Sequence, residues 1–364
     1  MTRIIKIGGF SHVKQLKIGG NEPIAIQTMW KETLTSDSLE NAARKIETLE
    51  KMGCDLLRFA VPDIMSADLL GNLSNMVSMP LVADIHFDYK IALRCMDYPI
   101  AKIRINPGNI GGKDKVRAVL EKASEKGIPI RIGVNAGSLP ADLRKRVDEG
   151  LEVSEALAEA AEREIEVFNE FGFDNFLVSM KSCTIADNIK VLRFFTKKHS
   201  DIPLHVGVTE AGPLAAGVAR NSAVLVTLLT EGIGDTVRVS ISDTMESEII
   251  AAREIIRAAD GLTEKNDRLK CKGVNIVSCP RCGRYGFDTH AFTENWLSKL
   301  YAMDKEITVA VMGCEVNGPA EAKNADIGIT GAGDKVLIFK HGQIIKTCSP
   351  DEADVIFEEE LNKI

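Results

Sequence analysis

Residues 101–134 contain the repeating unit that decides the fold: AKIRI (Ala101–Ile105), KDKVRAVLEKASE (Lys113–Glu125) and PIRIGV (Pro129–Val134). The first and last segments are short apolar runs of the kind that form buried strands, and the amphipathic middle segment is typical of a helix. Two strands separated by a helix can pair in parallel, because a parallel connection needs a long crossover. The unit therefore predicts a βαβ motif within a parallel sheet.

The same alternation extends over the first two-thirds of the chain. Strands are predicted at Pro23–Met29, Cys54–Val61, Pro80–Ile85, Ala101–Ile105, Pro129–Val134, Asn175–Met180, Pro203–Val208 and Thr236–Ile241, with helices at Ser38–Met52, Lys113–Glu125, Ser154–Phe171 and Ser242–Ala259. Eight such units predict an α/β fold, a (β/α)8 TIM-type barrel over residues 1–263. A doubly wound parallel sheet is the alternative. It is disfavoured because no Gly-x-Gly-x-x-Gly motif opens a helix after the first strand.

A densely charged segment, Glu264–Lys272, marks a boundary, and residues 264–364 predict a smaller α/β domain. Its strands are predicted at Val274–Val277, Thr308–Met312, Asp326–Thr330, Lys335–Phe339 and Gln343–Thr347, with helices near Thr293–Met303 and at Asp351–Leu361. We expect Ser349 to cap the last helix, with Pro350 at its first position, where a missing N–H is harmless.

Composition restricts the function. The formal net charge is −7 and only 5% of residues are aromatic, which argues against nucleic acid as the main partner. The sequence has neither an apolar run of membrane-spanning length nor a signal peptide, so we expect a cytoplasmic protein. Eight cysteines in such a chain indicate thiols and metal ligands rather than a disulfide framework.

Basic residues recur at the ends of the predicted barrel strands. They are Arg58, Arg104, Arg131, Lys181 and Arg238. Active sites of these barrels lie at the carboxyl ends of the strands, so the five side chains are expected to converge. A single buried arginine is usually a paired structural residue, but five converging cations repel one another unless an anion joins them. Because guanidinium groups bind phosphate oxygens in a bidentate manner, the set predicts a multiply charged substrate, most simply a diphosphate.

Other polar residues lie near the same strand ends. Ser240 shares a strand face with the last arginine, and Asn135 lies just past the fifth strand. His86 follows the third strand and can bind substrate or move a proton; an ordinary hydrogen-bonded histidine is the alternative. Glu210 follows the seventh strand, where an acid catalyst or a helix-capping carboxylate would lie. We interpret His205 as structural.

Cysteines near the C-terminus predict a metal or cluster site. Cys279-Pro280-Arg281-Cys282 is a Cys-x-x-Cys motif, and Cys314 lies in a loop further along the chain. Three thiolates with a weak fourth position favour a reactive centre, with Glu321 as a carboxylate candidate. A structural zinc site completed by Cys271 or Cys348 is the alternative.

The sequence resembles the 4-hydroxy-3-methylbut-2-enyl diphosphate synthase family nearly from end to end. The resemblance is carried, in order, by DIHFDY (Asp84–Tyr89), RINPGN (Arg104–Asn109), IRIGVNAGSL (Ile130–Leu139), GVTEAG (Gly207–Gly212), GDTVRVS (Gly234–Ser240), CPRC (Cys279–Cys282) and GCEVNGP (Gly313–Pro319). Two segments depart from the usual family pattern: Trp30 follows the first strand and Cys183 follows the sixth.

The resemblance implies a barrel followed by a [4Fe–4S] domain similar to those of sulfite and nitrite reductases. Its cluster ligands would be Cys279, Cys282, Cys314 and Glu321, and its catalytic carboxylates Glu210 and Glu321. The implied reaction is the two-electron reductive ring opening and dehydration of 2-C-methyl-D-erythritol 2,4-cyclodiphosphate. Substrate contacts would be Arg58, His86, Arg104, Arg131, Asn135, Lys181, Arg238, Ser240 and Asn317.

The resemblance also implies a homodimer. Because no flavin or nicotinamide motif is visible in the chain, electrons must come from outside, and we expect flavodoxin or ferredoxin as the donor. Two other classes remain open on the residues alone. A pterin-dependent methyl transferase with a zinc appendage would need a neutral, aromatic-lined pocket. A non-catalytic zinc or cluster scaffold would leave the basic strand ends unexplained.

Overall fold

The computed structural model describes residues 1–264, 266–271, 273–280, 282, 286–315 and 318–364, with the side chains of Pro107 and Asn109 left out. The chain forms two compact units, Met1–Cys271 and Lys272–Ile364. The sequence suggested a division after residue 263. The first unit instead continues to Cys271, because Arg268 still bonds to it. Its carbonyl accepts a hydrogen bond from Ile24, and its Nη2 donates to Asp235.

The first unit opens with an antiparallel hairpin that the sequence analysis did not predict. Strands β1 (Ile5–Ile7) and β2 (Leu16–Ile18) pair along three residues each. Ile5, Ile7 and Ile18 are buried against the first residues of several barrel strands, including Leu56 and Val82. The hairpin therefore covers the amino-terminal end of the barrel and leaves the carboxyl end as the place for a site.

Eight parallel strands follow: β3 (Ala25–Met29), β4 (Leu56–Ala60), β5 (Leu81–Asp84), β6 (Lys102–Ile105), β7 (Ile130–Asn135), β8 (Phe176–Lys181), β9 (His205–Val206) and β10 (Thr236–Val237). They hydrogen-bond in the order β8-β7-β6-β5-β4-β3-β10-β9. A parallel bridge between Val178 and Leu204 links β8 to the start of β9. This near-closure confirms the predicted barrel and excludes the doubly wound sheet, which is open at both edges and reverses its strand order in the middle.

The helices of the first unit are α1 (Leu39–Lys51), α2 (Ile64–Ser74), α3 (Tyr89–Cys95), α4 (Pro107–Ile110), α5 (Lys113–Lys126), α6 (Ala141–Asp148), α7 (Val153–Glu170), α8 (Ile185–Lys198), α9 (Leu214–Thr230) and α10 (Met245–Asp260). Several begin at a side chain that accepts a backbone N–H. Asp63 caps α2, Thr184 caps α8 and Thr244 caps α10. Such caps satisfy otherwise unpaired N–H groups and fix where each loop ends.

The second unit is a five-stranded sheet in the order β11 (Asn275–Ser278), β12 (Thr308–Met312), β13 (Ile327–Ala332), β14 (Lys335–Lys340) and β15 (Gln343–Cys348). The first three strands run parallel and the last two are antiparallel. Its helices are α11 (Thr289–Tyr301), α12 (Gly318–Glu321) and α13 (Ala353–Leu361).

The predicted cap of the last helix is present. Ser349 and Glu352 form a capping box around Pro350, which starts a short 3-10 turn that continues into α13. Across the described ranges, no helix is both long enough and apolar enough to cross a bilayer.

Candidate functional site

The carboxyl ends of neighbouring barrel strands bring charged side chains together. In the register of the sheet, Arg104 on β6 lies opposite Asp84 on β5 and opposite Arg131 on β7. Asn135 at the end of β7 lies opposite Lys181 at the end of β8. Residues aligned in this way have side chains side by side, so the sequence-predicted cations meet at one mouth of the barrel.

Asp84 is the anionic centre of one half of this mouth. Its Oδ1 accepts a hydrogen bond from Arg104 Nη1 at 3.0 Å, and its Oδ2 lies 3.4 Å from Arg58 Nε. Half-exposed His86 approaches the same carboxylate at 3.9 Å. Burial alone would raise the pKa of Asp84, but the surrounding guanidinium charges, Arg58 first, hold that pKa below its ordinary value. Asp84 is therefore ionised and fixes two arginines.

Arg131 differs from its neighbours because it has a charge but too few partners. Its side chain is only 2% exposed, and Nε and Nη1 contact no hydrogen-bond acceptor in the described chain. Burial, and then the positive charges of Arg58 and Arg104, push the pKa of Arg131 well below its ordinary value. Buried donors without acceptors are costly, so this guanidinium is set up to receive an anion.

The other half of the mouth is organised by Glu248, which the sequence analysis did not single out. Arg238 donates from Nε to Glu248 Oε2 at 3.3 Å and from Nη2 to Oε1 at 3.2 Å. Lys31 Nζ lies 2.9 Å from the same carboxylate. A carboxylate on the apolar stripe of α10 is the signal that could have identified it, because buried acids are nearly always paired.

A further layer of polar groups lies within the barrel. Lys102 is fully buried, and its Nζ donates to Gln27 Oε1 at 3.2 Å. His205 is also fully buried; its Nδ1 is 2.6 Å from Thr236 Oγ1, and its Nε2 has no hydrogen-bond partner in the described part of the chain. Lys102 was not predicted as a site residue, although it lies two residues before Arg104 and so shares its strand face.

Burial lowers the pKa of several of the basic groups in this region. The pKa values of Lys102, Lys181 and His205 all lie well below their ordinary values, with desolvation as the main cause and nearby positive charges, Arg131 among them, as the next. The region therefore holds more positive charge than the protein neutralises by itself.

Glu210 lies on the loop after β9 with an exposed side chain and a left-handed backbone, φ +53°. It does not cap the following helix, because α9 begins after Pro213. A residue other than glycine rarely adopts this conformation, and such strain is often kept at functional sites. Ser240 is half-buried beyond β10.

Two buried asparagines hold the loops that carry these residues. Asn188 Oδ1 accepts the N–H of Ser182, just after Lys181, and its Nδ2 donates to the carbonyl of Ser182 at 2.7 Å. Asn221 Oδ1 accepts the N–H of Val208, just before the Glu210 segment. The loops are therefore fixed from the helices behind them rather than left to solvent.

The two departures from the family pattern have different surroundings. Trp30 is buried and stacks on Phe59, with ring centroids 5.4 Å apart, so its bulk is absorbed by packing. Cys183 is exposed after β8.

In the second unit, Cys279 and Cys314 follow neighbouring parallel strands. Ser278 on β11 pairs in register with Val311 on β12, and Cys279 donates its N–H to the Val311 carbonyl at 2.9 Å. Cys279 is half-buried and adjoins a cavity of about 510 Å³ lined by Ser278, Cys279, Pro280, Thr289, His290 and Thr293. Both thiols thus belong to the carboxyl edge of this sheet.

Glu321 ends the short helix α12, which begins at Gly318, and the Gly318 N–H donates to the Cys314 carbonyl at 2.9 Å. A side chain at Gly318 would meet Thr330 Oγ1 at 2.8 Å, so only glycine lets α12 lie this close to β13. Cys282 is exposed, and Asn317 lies outside the described residues.

Within the described ranges, no three His, Cys, Asp or Glu side chains converge closely enough to hold a metal ion. The donor set itself suits an iron–sulfur cluster, since it offers three thiols and one carboxylate, and Cys279 and Cys314 follow neighbouring strands of one sheet. Cys348, considered above as a fourth thiolate, is buried in the apolar core of this unit beside Val336, and burial raises the pKa of its thiol. Cys271 is half-buried at the division between the units.

Family comparisons agree with both units. A model described as the GcpE TIM-barrel domain matches residues 10–253, and one described as the GcpE protein C-terminal domain matches residues 275–363.

Curated relatives match over the whole length. The chain is 49% identical to the 4-hydroxy-3-methylbut-2-en-1-yl diphosphate synthase (flavodoxin) of Treponema denticola, over 95% of this chain and 92% of that protein. It is 48% identical to the enzyme of that name from Treponema pallidum, over 100% and 92%, and 43% identical to that from Thermodesulfovibrio yellowstonii, over 100% and 98%. The chain therefore belongs to the GcpE family, the family of the 4-hydroxy-3-methylbut-2-en-1-yl diphosphate synthases.

Proposed function

We propose that this chain is the oxidoreductase that converts 2-C-methyl-D-erythritol 2,4-cyclodiphosphate into 4-hydroxy-3-methylbut-2-enyl diphosphate by two-electron ring opening and loss of water. Family membership supports the reaction, and the mouth of the barrel supports the substrate. The single observation that carries the proposal is Arg131, a buried guanidinium whose Nε and Nη1 have no acceptor among the described residues. A diphosphate supplies the acceptors and the negative charge that this region lacks.

The charges at the mouth favour a ligand with more than one negative charge. Five cations point to this region, whereas the ion pairs found there involve two carboxylates, Asp84 and Glu248. We assign diphosphate binding to Arg58, His86, Arg104, Arg131, Asn135, Lys181, Arg238 and Ser240. Binding excludes water from this mouth and strengthens each electrostatic contact.

Glu210 is assigned a proton-transfer role. Its carboxylate lies on a strained loop turn at the same end of the barrel as the cations, and no described residue pairs with it. An exposed carboxylate on a loop anchored by Asn221 can approach a bound ring without first breaking an ion pair.

The second unit is assigned a [4Fe–4S] cluster held by Cys279, Cys282, Cys314 and Glu321. The fit rests on the chemistry of the donor set and on Gly318, which brings α12 and its terminal Glu321 against the sheet. A cluster held by these residues would supply one-electron transfer and a Lewis-acidic iron. Asn317, which precedes Gly318 in the sequence, is assigned a substrate contact from the family resemblance alone.

External electrons are needed, and the names of the relatives include flavodoxin. We therefore propose flavodoxin, or a ferredoxin, as the donor. A homodimer, implied by the resemblance, and a cytoplasmic location, expected from the sequence, belong to the same proposal.

Anaerobic purification followed by turnover with reduced flavodoxin tests the function. We expect about four irons per chain and consumption of the cyclic diphosphate. Two variants separate binding from chemistry: Arg131→Met is expected to lose substrate binding, and Glu210→Gln to keep binding while turnover slows by about 100-fold or more. A colourless protein with one zinc, or a loaded protein that does not consume the cyclic diphosphate, would refute the proposal.

A further inference from the structure

Glu248 is the most heavily bonded carboxylate near the mouth of the barrel. It is 1% exposed and lies in the first half of α10. Besides Arg238 and Lys31, it accepts hydrogen bonds from Thr28 Oγ1 at 2.5 Å and from the Ile241 N–H at 3.3 Å. One side chain thus joins the end of β3, the loop after it and the segment after β10.

Lys31 is fully engaged by this arrangement. Its Nζ contacts Glu248 Oε1 at 2.9 Å, donates to the Ile241 carbonyl at 3.1 Å and also donates to the Asp243 carbonyl. With two hydrogen bonds and this ion pair, Lys31 acts as a strut between two loops rather than as a ligand for an anion.

Arg238 is engaged on one side only. Its Nε and Nη2 are taken by Glu248, whereas its Nη1 is 3.7 Å from the sulfur of Met29. Arg58 Nη2 approaches the same sulfur at 3.0 Å. A thioether is a weak acceptor. Two guanidinium groups, one from each side of β3, therefore converge on a point without a strong hydrogen-bond acceptor.

A direct contact between Glu248 and a diphosphate is excluded by charge, since a buried carboxylate would repel it. The carboxylate can instead act through the arginine that it holds. By fixing two of the three nitrogens of Arg238, it sets the direction of the third and lowers the entropy that the arginine loses when an anion binds.

We propose that Glu248 is a positioning residue for diphosphate recognition: it locks Arg238 so that Nη1, together with Nη2 of Arg58, is directed to an anion beside Met29. The inference rests on the proposed function, because the anion is the diphosphate of the cyclic substrate. It adds Glu248 of α10, and Lys31, to the residues that organise the anion site at the mouth of the barrel.

The test compares Glu248→Gln with Glu246→Gln in the cluster-loaded protein. Both variants remove one carboxylate charge from α10. Glu246, however, makes a long ion pair with Lys45, at 3.8 Å, and none of the contacts described for Glu248. We expect Glu248→Gln to weaken binding of the cyclic diphosphate by about 10- to 100-fold, measured by anaerobic calorimetry. KM should rise in step while kcat changes little, since anchoring and not chemistry is affected. Glu246→Gln should bind as the wild type does.

A double variant identifies the route of the effect. If Glu248 acts through Arg238, adding Glu248→Gln to Arg238→Met should weaken binding no further than Arg238→Met alone. Should Glu248→Gln fail to fold, Thr28→Val removes one hydrogen bond to Oε2 and is expected to weaken binding by about 3- to 10-fold.

Equal dissociation constants for Glu248→Gln and Glu246→Gln would overturn the positioning role, as would a fall in kcat at constant KM. An unchanged dissociation constant in Thr28→Val, where Glu248→Gln does not fold, would do the same. Absence of cyclic diphosphate binding by the wild type would instead refute the proposed function itself.

Discussion

Gly133 on β7 shapes the mouth of the barrel by lacking a side chain. Arg104 Nη2 donates to the Gly133 carbonyl at 3.3 Å, and a methyl group at Gly133 would lie 2.5 Å from Arg104 Nε. The atoms in the way belong to the end of a flexible side chain. The backbone can therefore tolerate alanine, but the guanidinium must leave its position beside Asp84.

Gly133→Ala is accordingly expected to fold and to bind the cyclic diphosphate about 10-fold more weakly, because one charge-assisted contact is displaced. Calorimetric titration measures the dissociation constant, and thermal unfolding checks the fold. Gly137→Ala is the matched control: Gly137 lies four residues further along the same segment, and a side chain there meets nothing within 4 Å. Equal affinity for the two variants would contradict this reading of Arg104.

At the scale of single residues, the sequence predicted the cations but not the groups that hold them. Arg58, Arg104 and Arg131 stand out because three of four neighbouring strands, β4, β6 and β7, each carry an arginine. Lys102 obeys the same two-residue periodicity and could have been found by it. Glu248 could not be paired with Arg238 from the sequence alone, since the contact depends on how α10 packs against β3 and β10.

At the scale of elements, α7 supports the loop that follows β6. Glu164 on this helix accepts the N–H of Gly108 at 3.1 Å, near the start of α4. Burial raises the pKa of Glu164 to about 7, although this hydrogen bond lowers it in part. The folded state thus holds a proton on Glu164 more tightly than the unfolded chain does. Its contribution to stability is complete below the unfolded pKa of 4.5 and is lost as the pH rises through about 7.

Glu164→Gln should therefore melt above the wild type at about pH 8.5, by roughly 2–4 °C, and the difference should disappear near pH 5. Gln keeps an acceptor for the Gly108 N–H without a charge to desolvate. Thermal unfolding across this pH range measures the effect. Glu166→Gln, an exposed change two residues along α7, is the control and should show no such pH dependence. A constant difference in Tm at all pH values would contradict the assignment.

Element prediction succeeded where burial on both faces produced continuous apolar runs, as in β6 and β7. It overestimated β9, predicted as Pro203–Val208 but only two residues long, because Gly207 adopts φ +150° and lies against the Arg238 carbonyl. It missed β1 and β2, since three-residue strands show no periodicity of their own. Their stability comes from tertiary packing on the barrel, which a local pattern does not reveal.

At the scale of the whole molecule, the charge at the barrel mouth is opposite in sign to the net charge of the chain. The chain carries a net −7, yet its barrel buries arginines, lysines and a histidine around one cavity mouth. Without an anion, these cations raise one another's energy, so part of the fold's stability is given up to keep the site ready. Binding of a multiply charged anion should relieve this repulsion and change the protonation of the groups that can titrate.

Lys102, Lys181 and His205 are the groups concerned, because burial and neighbouring cations lower the pKa of each in the ligand-free protein. A diphosphate raises these pKa values, so its binding should take up about one proton or more, and its affinity should fall as the pH rises. Calorimetry in two buffers of different ionisation enthalpy counts the protons. Lys102→Met should reduce the uptake, whereas Lys113→Met, which removes a lysine on the outer surface of α5, should not. Binding without proton uptake, or with equal uptake in both variants, would contradict the prediction that anion binding protonates Lys102.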